Sequence, residues 1–325
     1  MSAAWPRAGA RPAAAAPDWS GLLPVDKPEG VTSHDVVDRA RRALGTRAIG
    51  HLGTLDPGAS GLLVLAVGAA TRCAIVWQGG RKTYAGKARF GVVTDTQDLD
   101  GRVLETHESR PDADDVRAAA AALTGDLRQV PPMVSAVKRG GERLYDLARR
   151  GETVEREARP VRVEAWRFLA ITPEEARFEV DCSGGTYVRT LVHDLGQSLG
   201  CGAALTGLRR LRSEPFTLER SCPWEQLGAA PAADLLERSG VPLDRALETL
   251  PALVMDAEAA AAIGHGQGPR VTRVTAPIGA GVRSVVFRDE SGRAIALGEL
   301  RLEGDGVKAR PAVVFPWAVR GARAS

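Results

Sequence analysis

The stretch GHLGTLDPGASGLLVLAV, residues 50–67, joins a glycine-punctuated loop to an unbroken apolar run at 62–67. That run has the length of a strand and falls far short of the ~20 apolar residues that span a bilayer. One carboxylate, Asp56, stands just before it. Pro57 biases Asp56 away from helical geometry. Asp-Pro-Gly is also a good turn sequence. Asp56 is therefore either a turn former or a reagent, and the tripeptide alone favours the turn.

The 325 residues suffice for one large domain and a small one. With 44% hydrophobic and 26% charged residues, the composition is that of a soluble globular chain. Cys73, Cys182, Cys201 and Cys222 form no C-x-x-C pair, which argues against a zinc site. Residues 1–18 lack the apolar core of a signal peptide and read as an Ala/Pro/Arg tail. A cytoplasmic protein with reduced thiols is the expectation. The net charge of +3 says little, but the cations cluster. Arg39, Arg41, Arg42 and Arg47 fall together, as do Lys138, Arg139, Arg143, Arg149 and Arg150, and Arg209, Arg210 and Arg212. Each cluster is either a solvated face or a match for a phosphate backbone; three together favour a polyanionic partner.

Thr32 with Asp35 predicts a capping box and a helix with Val36, Val37, Ala40, Ala43 and Leu44 on its buried stripe, stopped by Gly45. TYAGKARFGVVTDTQDLDGRVLE predicts a hairpin with DLDG near its turn. A helix is expected over 113–124, capped by Asp112. Residues 124–160 are charged and weakly periodic, which suits a protruding insertion. Phe178, Val180 and Cys182 alternate as one face of a strand. A helix follows the Gly184–Gly185 turn, with Val188, Leu191, Val192 and Leu195 inward. From about residue 251, short strands suggest a small β-rich domain.

Arg189 makes Asp56 more interesting. It lies in the first turn of its helix, where a cation opposes the positive end of the dipole. Beside an apolar stripe it needs an anion, either a carboxylate of the chain or a ligand phosphate. Asp56 is a candidate, and a nearby cation lowers a carboxylate pKa and keeps it ionised. Tyr84 and Tyr187 are either packing residues or platforms for a planar base. His51 is a hydrogen-bonded loop histidine on its own evidence. GASG is not a nucleophile elbow, and no phosphate-binding G-x-x-x-x-G-K-[ST] occurs. DTQDLDG lacks calcium-loop spacing and reads as a turn.

DKPEGVTSHDVV, GHLGTLDPGASGLLVLAVGAATR, KTYAGKARFGVVTDTQDLDG, QVPPMVSAVKRGGERLYDLARRG, CSGGTYVRTLVHDLGQSLGCGA and LRRLRSEPF occur in this order. Over residues 21–216 the chain resembles the TruB family of tRNA pseudouridine synthases, and more loosely beyond. The resemblance implies an α+β fold: a mixed, mainly antiparallel sheet with flanking helices, plus a small β-rich, PUA-like C-terminal domain. It implies a disordered tail over 1–18, a catalytic domain over 19–222 with a thumb-like insertion at about 124–160, a linker with helical character over 223–250, and the RNA-binding domain over 251–325. It implies isomerisation of uridine 55 in the tRNA T-loop to pseudouridine, by a cytoplasmic monomer that needs no cofactor, metal, membrane, guide RNA or protein partner. Carried over residue by residue, Asp56 is the nucleophile, paired with Arg189. Tyr84 stacks on the flipped uracil, Lys27 supports the site, and His51, Tyr187 and Leu208 line the base and RNA pocket. Leu52 stands where the family usually has a small polar residue, and Gly184 where a lysine is common. Rival readings are a guide-RNA-dependent relative, a non-catalytic RNA-binding protein, and a hydrolase using His51 and Ser60.

Overall fold

The apolar run becomes the C-terminal two-thirds of a strand whose nine residues are all buried. In the computed structural model, which describes residues 19–135, 138–139, 142–143, 150, 154–265, 284–303 and 306–321, that strand is β3 (Ala59–Val67), after β1 (Gly21–Lys27) and β2 (Ile49–His51). Then come β4 (Lys82–Phe90), β5 (Val92–Thr94), β6 (Val103–Thr106), β7 (Gly125–Gln129), β8 (Lys138–Arg139), β9 (Glu142–Arg143), β10 (Arg159–Ile171), β11 (Glu175–Cys182) and β12 (Ala203–Ser213). The two-residue strands β13 (Phe216–Thr217), β14 (Cys222–Pro223) and β15 (Val241–Pro242) follow. The tail over 1–18 and the centre of the expected insertion, with most of its basic cluster, lie outside the described residues.

The main sheet runs β14-β1-β3-β12-β4-β11-β10-β7, with β2, β13 and β15 attached at its sides. Its pairings are antiparallel except β1 with β14 and β3 with β12. It is the mixed, mainly antiparallel sheet expected. β12 makes the parallel step possible by a close approach: at Gly61 the backbone has φ 98°, and a Cβ there would lie 2.3 Å from the Arg210 carbonyl oxygen. The stretch over 223–250 supplies β15, which pairs with β1, as well as the helix Ala232–Ser239.

Local signals explain the flanking helices. Thr32 caps Ser33–Leu44 in a full capping box with Asp35, and Gly45 ends it in the left-handed conformation. Its expected stripe is buried, as is that of the helix Val188–Ser198. Asp112 caps Ala113–Ala122 through the amides of Asp114 and Asp115. These helices cover one face of the sheet, and their side chains join Leu63, Leu65, Phe178 and Val180 in one core. Burying each such side chain contributes roughly 1.5–3 kcal/mol.

The other face carries Leu22, Leu62 and Val64, which pack with Val286, Leu297 and Phe315 from a separate four-stranded sheet. Its strands are β16 (Ala252–Val254), β17 (Val285–Arg288), β18 (Ala294–Glu303) and β19 (Gly306–Val314). The apolar run of β3 is thus explained: both faces of the strand are covered, which favours apolar residues on each.

One expectation needs correcting. The hairpin is β5–β6 alone, with its turn at 95–102. β4 does not join it; its edges are taken by β11 and β12, in full-length registers that bury more than a local hairpin would.

Candidate active site

The loop between β2 and β3 is held from below. Ser33 Oγ both donates to the Leu55 carbonyl and accepts from the Leu55 amide, each at 2.9 Å. Gly30 N donates to the Pro57 carbonyl at 2.9 Å. Lys27, wholly buried, donates from Nζ to the carbonyls of Val31 (2.7 Å), Pro28 (2.9 Å) and Pro57 (3.3 Å). With its backbone pinned, Asp56 turns its side chain outward, 43% exposed.

Arg189 meets it there. The guanidinium, 4% exposed, brings Nε to 3.0 Å from Asp56 Oδ2. This is an ion pair, not an aligned hydrogen bond: Nε is buried without a hydrogen-bond acceptor in line. Nη1 donates to the Thr96 carbonyl at 2.9 Å and lies 3.3 Å from Asp98 Oδ2. Nη2 donates to the Val134 carbonyl at 2.9 Å. The helix start is held by Gln129, whose Oε1 accepts from the Tyr187 amide (2.7 Å) and whose Nε2 donates to the Tyr187 carbonyl (3.1 Å). The glutamine thus holds both backbone groups of Tyr187, the residue before the helix, whose own side chain makes no cap hydrogen bond.

Asp98 escaped the sequence reading. The acidic turn that looked like a weak calcium loop places one of its carboxylates on Arg189. The only signal was the density of acids at 95–100. The expected electrostatics are also corrected. Burial raises the Asp56 carboxyl above the ordinary range, opposed by Arg189, raised further by Asp98, and opposed again by Lys27. Desolvation and the like charge of Asp98 together outweigh the two cations.

A cleft of ≈ 450 Å³ opens over this pair. Asp56, Tyr84, Tyr187, Arg189 and Leu208 all line it. Tyr84 is 6% exposed, with its phenol pushed up by burial. The register brings it beside Arg210 of β12 and Val180 of β11. Lys27 lies under the loop and His51 sits on β2 opposite Leu65; neither is part of the cleft wall. Burial lowers the Lys27 amine to about 8, against the raising effect of Asp56. Lys82 and Arg210 complete the wall. Among the described residues, no three His, Cys, Asp or Glu side chains are grouped to hold a metal ion. Of the departures, Leu52 packs into the second core, and a Cβ at Gly184 would lie 2.5 Å from the Gln78 carbonyl.

Several cations of the basic clusters have partners within the chain. Arg41 pairs with Asp38, Arg209 with Asp26, and Arg212 with Glu214. Arg39 donates to the Leu227 carbonyl and stacks on Trp224. The carboxylates come from a helix neighbour for Arg41, from β1 across the intervening β3 for Arg209, and from just past the end of β12 for Arg212.

Comparison with known proteins identifies the family. Residues 41–188 match the model for the TruB family pseudouridylate synthase N-terminal domain, and residues 189–255 that for the tRNA pseudouridylate synthase B C-terminal domain. A tRNA pseudouridine synthase B of Burkholderia mallei is 44% identical over 82% of this chain and 85% of its own. One from an Arthrobacter species is 42% identical over 91% and 96%. A solved Cbf5-Nop10-Gar1 complex contains a chain with TM-score 0.71 and 26% identity, covering 93% of this chain and 91% of that one. From its matched domains and from relatives aligned over most of their length, this chain belongs to the TruB family of pseudouridylate synthases.

Proposed function

We propose that the protein converts uridine 55 in the T-loop of tRNA to pseudouridine, with Asp56 acting on a flipped-out nucleotide. The observation that carries this reading is the Asp56–Arg189 ion pair at 3.0 Å, at the mouth of a cleft lined by Tyr84, Tyr187 and Leu208. The names of the 44% and 42% identical relatives support tRNA as the substrate.

The reaction is an internal exchange. The N1–C1′ bond breaks, the uracil turns, and a C5–C1′ bond forms. C5 loses a proton and N1 gains one, so no co-reactant is needed. The nucleotide must first leave its stack, at a cost of a few kcal/mol. The partly exposed Asp56 carboxylate then acts on C1′, on C6, or on a sugar proton. Arg189 holds it at a fixed angle, which is the larger part of its contribution. Tyr84 stacks on the base, and Tyr187 and Leu208 flank it. Lys27 keeps the loop in place, and His51 contributes from β2 at the RNA side. The protein works as a cytoplasmic monomer on bare tRNA through the T-arm, with a PUA-like C-terminal domain adding RNA contacts. The structural likeness to a chain found in a Cbf5-Nop10-Gar1 complex favours one second reading, a partner-dependent enzyme.

Purified protein and unmodified tRNA, with nothing else added, separate the two. The expected result is one pseudouridine, at position 55. No product without an added RNA or protein sinks the stand-alone reading. Asp56→Asn is expected to abolish turnover while tRNA affinity stays within about tenfold, because phosphate contacts supply most of the binding. Residual turnover in that variant would remove Asp56 from the chemistry.

A further inference from the structure

Two cations in the cleft wall have no part in the roles above. Arg210 and Lys82 are 2% and 5% exposed, and both line the cleft. Arg210 donates from Nε to the Leu62 carbonyl (2.6 Å) and from Nη2 to the Gly53 carbonyl (3.0 Å). Lys82 donates from Nζ to the carbonyls of Gln78 (3.0 Å) and Gly80 (3.1 Å). These acceptors are all neutral. Among the described residues, neither cation is in an ion pair with a carboxylate. The two converge: a Cβ at Gly53 would lie 3.6 Å from Arg210 Nη1 and 3.7 Å from Lys82 Cε. Between them on the sheet is Tyr84, the register partner of Arg210.

Buried cations without a counter-ion are costly, and an anion that enters the cleft offsets that cost. Depth suggests which anion. Asp56 is 43% exposed at the mouth, whereas Tyr84, Lys82 and Arg210 are almost wholly buried at the floor. A nucleotide whose sugar reaches Asp56 sends its base, not its phosphates, to that floor.

We infer that Arg210 and Lys82 form an anion-stabilising floor that holds the uracil carbonyl oxygens and stabilises the uracilate released when N1–C1′ breaks. This rests on the pseudouridylation reading and names what its cleft does to the leaving group. The electron pair of N1–C1′ leaves on the ring, where it spreads over N1, O2 and O4. Asp56 meets the deficiency, either by bonding to C1′ or by taking the C2′ proton, which it later returns. Formation of C5–C1′ then consumes the ring's electron pair, the C5 proton departs and N1 takes one up. Charge that develops only as the bond breaks is what preorganised donors in a dry site stabilise best.

The test uses full-length protein and tRNA transcripts with either uridine or 5-fluorouridine at the target position. Fluorine stabilises the detached ring as an anion and so lessens the need for the two cations. Single-turnover loss of the starting nucleoside is followed by mass spectrometry of digests. Lys82→Met and Arg210→Met are expected to slow uridine about 100-fold or more. They slow 5-fluorouridine at least several-fold less, with tRNA Kd nearly unchanged. Arg210→Lys, which keeps the charge, recovers much of the uridine rate. Equal slowing of both substrates overturns the proposal, as does weakened tRNA binding with an unchanged saturated rate, which would assign the pair to phosphates. Wild-type protein that leaves both substrates intact overturns the parent reading and this one together; an active wild type with indifferent variants overturns this one alone.

Discussion

The two sides of the cleft each bury an arginine, and they treat it differently. Arg189 faces Asp56 and Asp98 and adds the carbonyls of Thr96 and Val134. Arg210 faces the carbonyls of Leu62 and Gly53 and the Tyr84 phenol, with Lys82 as a like-charged neighbour and, among the described residues, no carboxylate in an ion pair with it. On the first side the charge is more than matched by the protein. On the second it is left over. A pair of acids around one guanidinium gives a rigid, anchored carboxylate. Unmatched cations give a surface whose electrostatics are completed by what binds. One cleft thereby combines a fixed reagent with a receptive floor.

The strongest way to disturb this contrast is Arg189→Met. It leaves two carboxylates facing each other without a cation. We expect turnover to fall by about 10³-fold or more, comparable to losing a principal electrostatic group. We also expect the fold to lose about 2–4 kcal/mol, somewhat under the range for a fully buried pair because Asp56 opens to the cleft. Single-turnover kinetics and urea denaturation measure the two. A variant within tenfold of wild type would show that Arg189 does not orient Asp56.

Lys82→Met probes the other side and has the opposite sign for stability. Burial, with Arg210 beside it, lowers the Lys82 amine from 10.5 to about 8. Below pH 8 the amine is charged in both folded and unfolded chains, and the fold carries the whole penalty. Between pH 8 and 10.5 the folded chain loses its proton first, so stability rises with pH. The difference corresponds to about 3 kcal/mol. Removing the amine, less the two carbonyl hydrogen bonds it makes, should stabilise the protein at pH 7 by about 1–2 kcal/mol. It should also flatten the rise of stability between pH 8 and 10.5, leaving the part owed to Lys27, whose amine is likewise lowered to about 8. Urea titrations across that range decide it; an unchanged slope would mean that the Lys82 amine is solvated and titrates alike in the folded and unfolded chains.

Asp98→Asn is a smaller change to the same contrast. It removes a like charge from beside Asp56, so the Asp56 carboxyl should titrate lower and the acid limb of the rate profile should move to lower pH. Arg189 also loses one anchor, so the plateau rate should drop. A limb that moves upward would show that Asp98 favours the Asp56 carboxylate, by anchoring Arg189, more than it opposes it. At the bottom of the scale, Arg81→Ala breaks a surface pair with Glu214, in which the arginine side chain is 62% exposed. The melting temperature should not move detectably.

Much of the fold was legible because it depends on near neighbours. The capping box at Thr32, the left-handed Gly45, the stripes of both helices and the alternation of β11 follow from spacings of two to four residues. Asp56 and Arg189 stood out for similar reasons: each is a charge beside an apolar pattern. Gln129 and Asp98 did not, because an amide that ends a strand and an acid within an acidic turn have ordinary local explanations. The basic clusters pointed to a polyanionic partner, which the names of the tRNA-modifying relatives support, but sequence did not show which carboxylates would face individual cations.

Local chemistry along the chain therefore specified the strands and helices, the apolar run at 62–67 of β3 and the two charges most in need of partners. Three-dimensional packing settled the rest. The register of β3, β12 and β4 put Arg210 beside Tyr84 and Gly61, the turn at 95–102 brought Asp98 to a guanidinium 91 residues away, and the C-terminal sheet closed the second face. The reason is physical. Backbone preferences act over a few residues, whereas the energy of a buried charge depends on every group within a few ångströms, from whatever part of the chain.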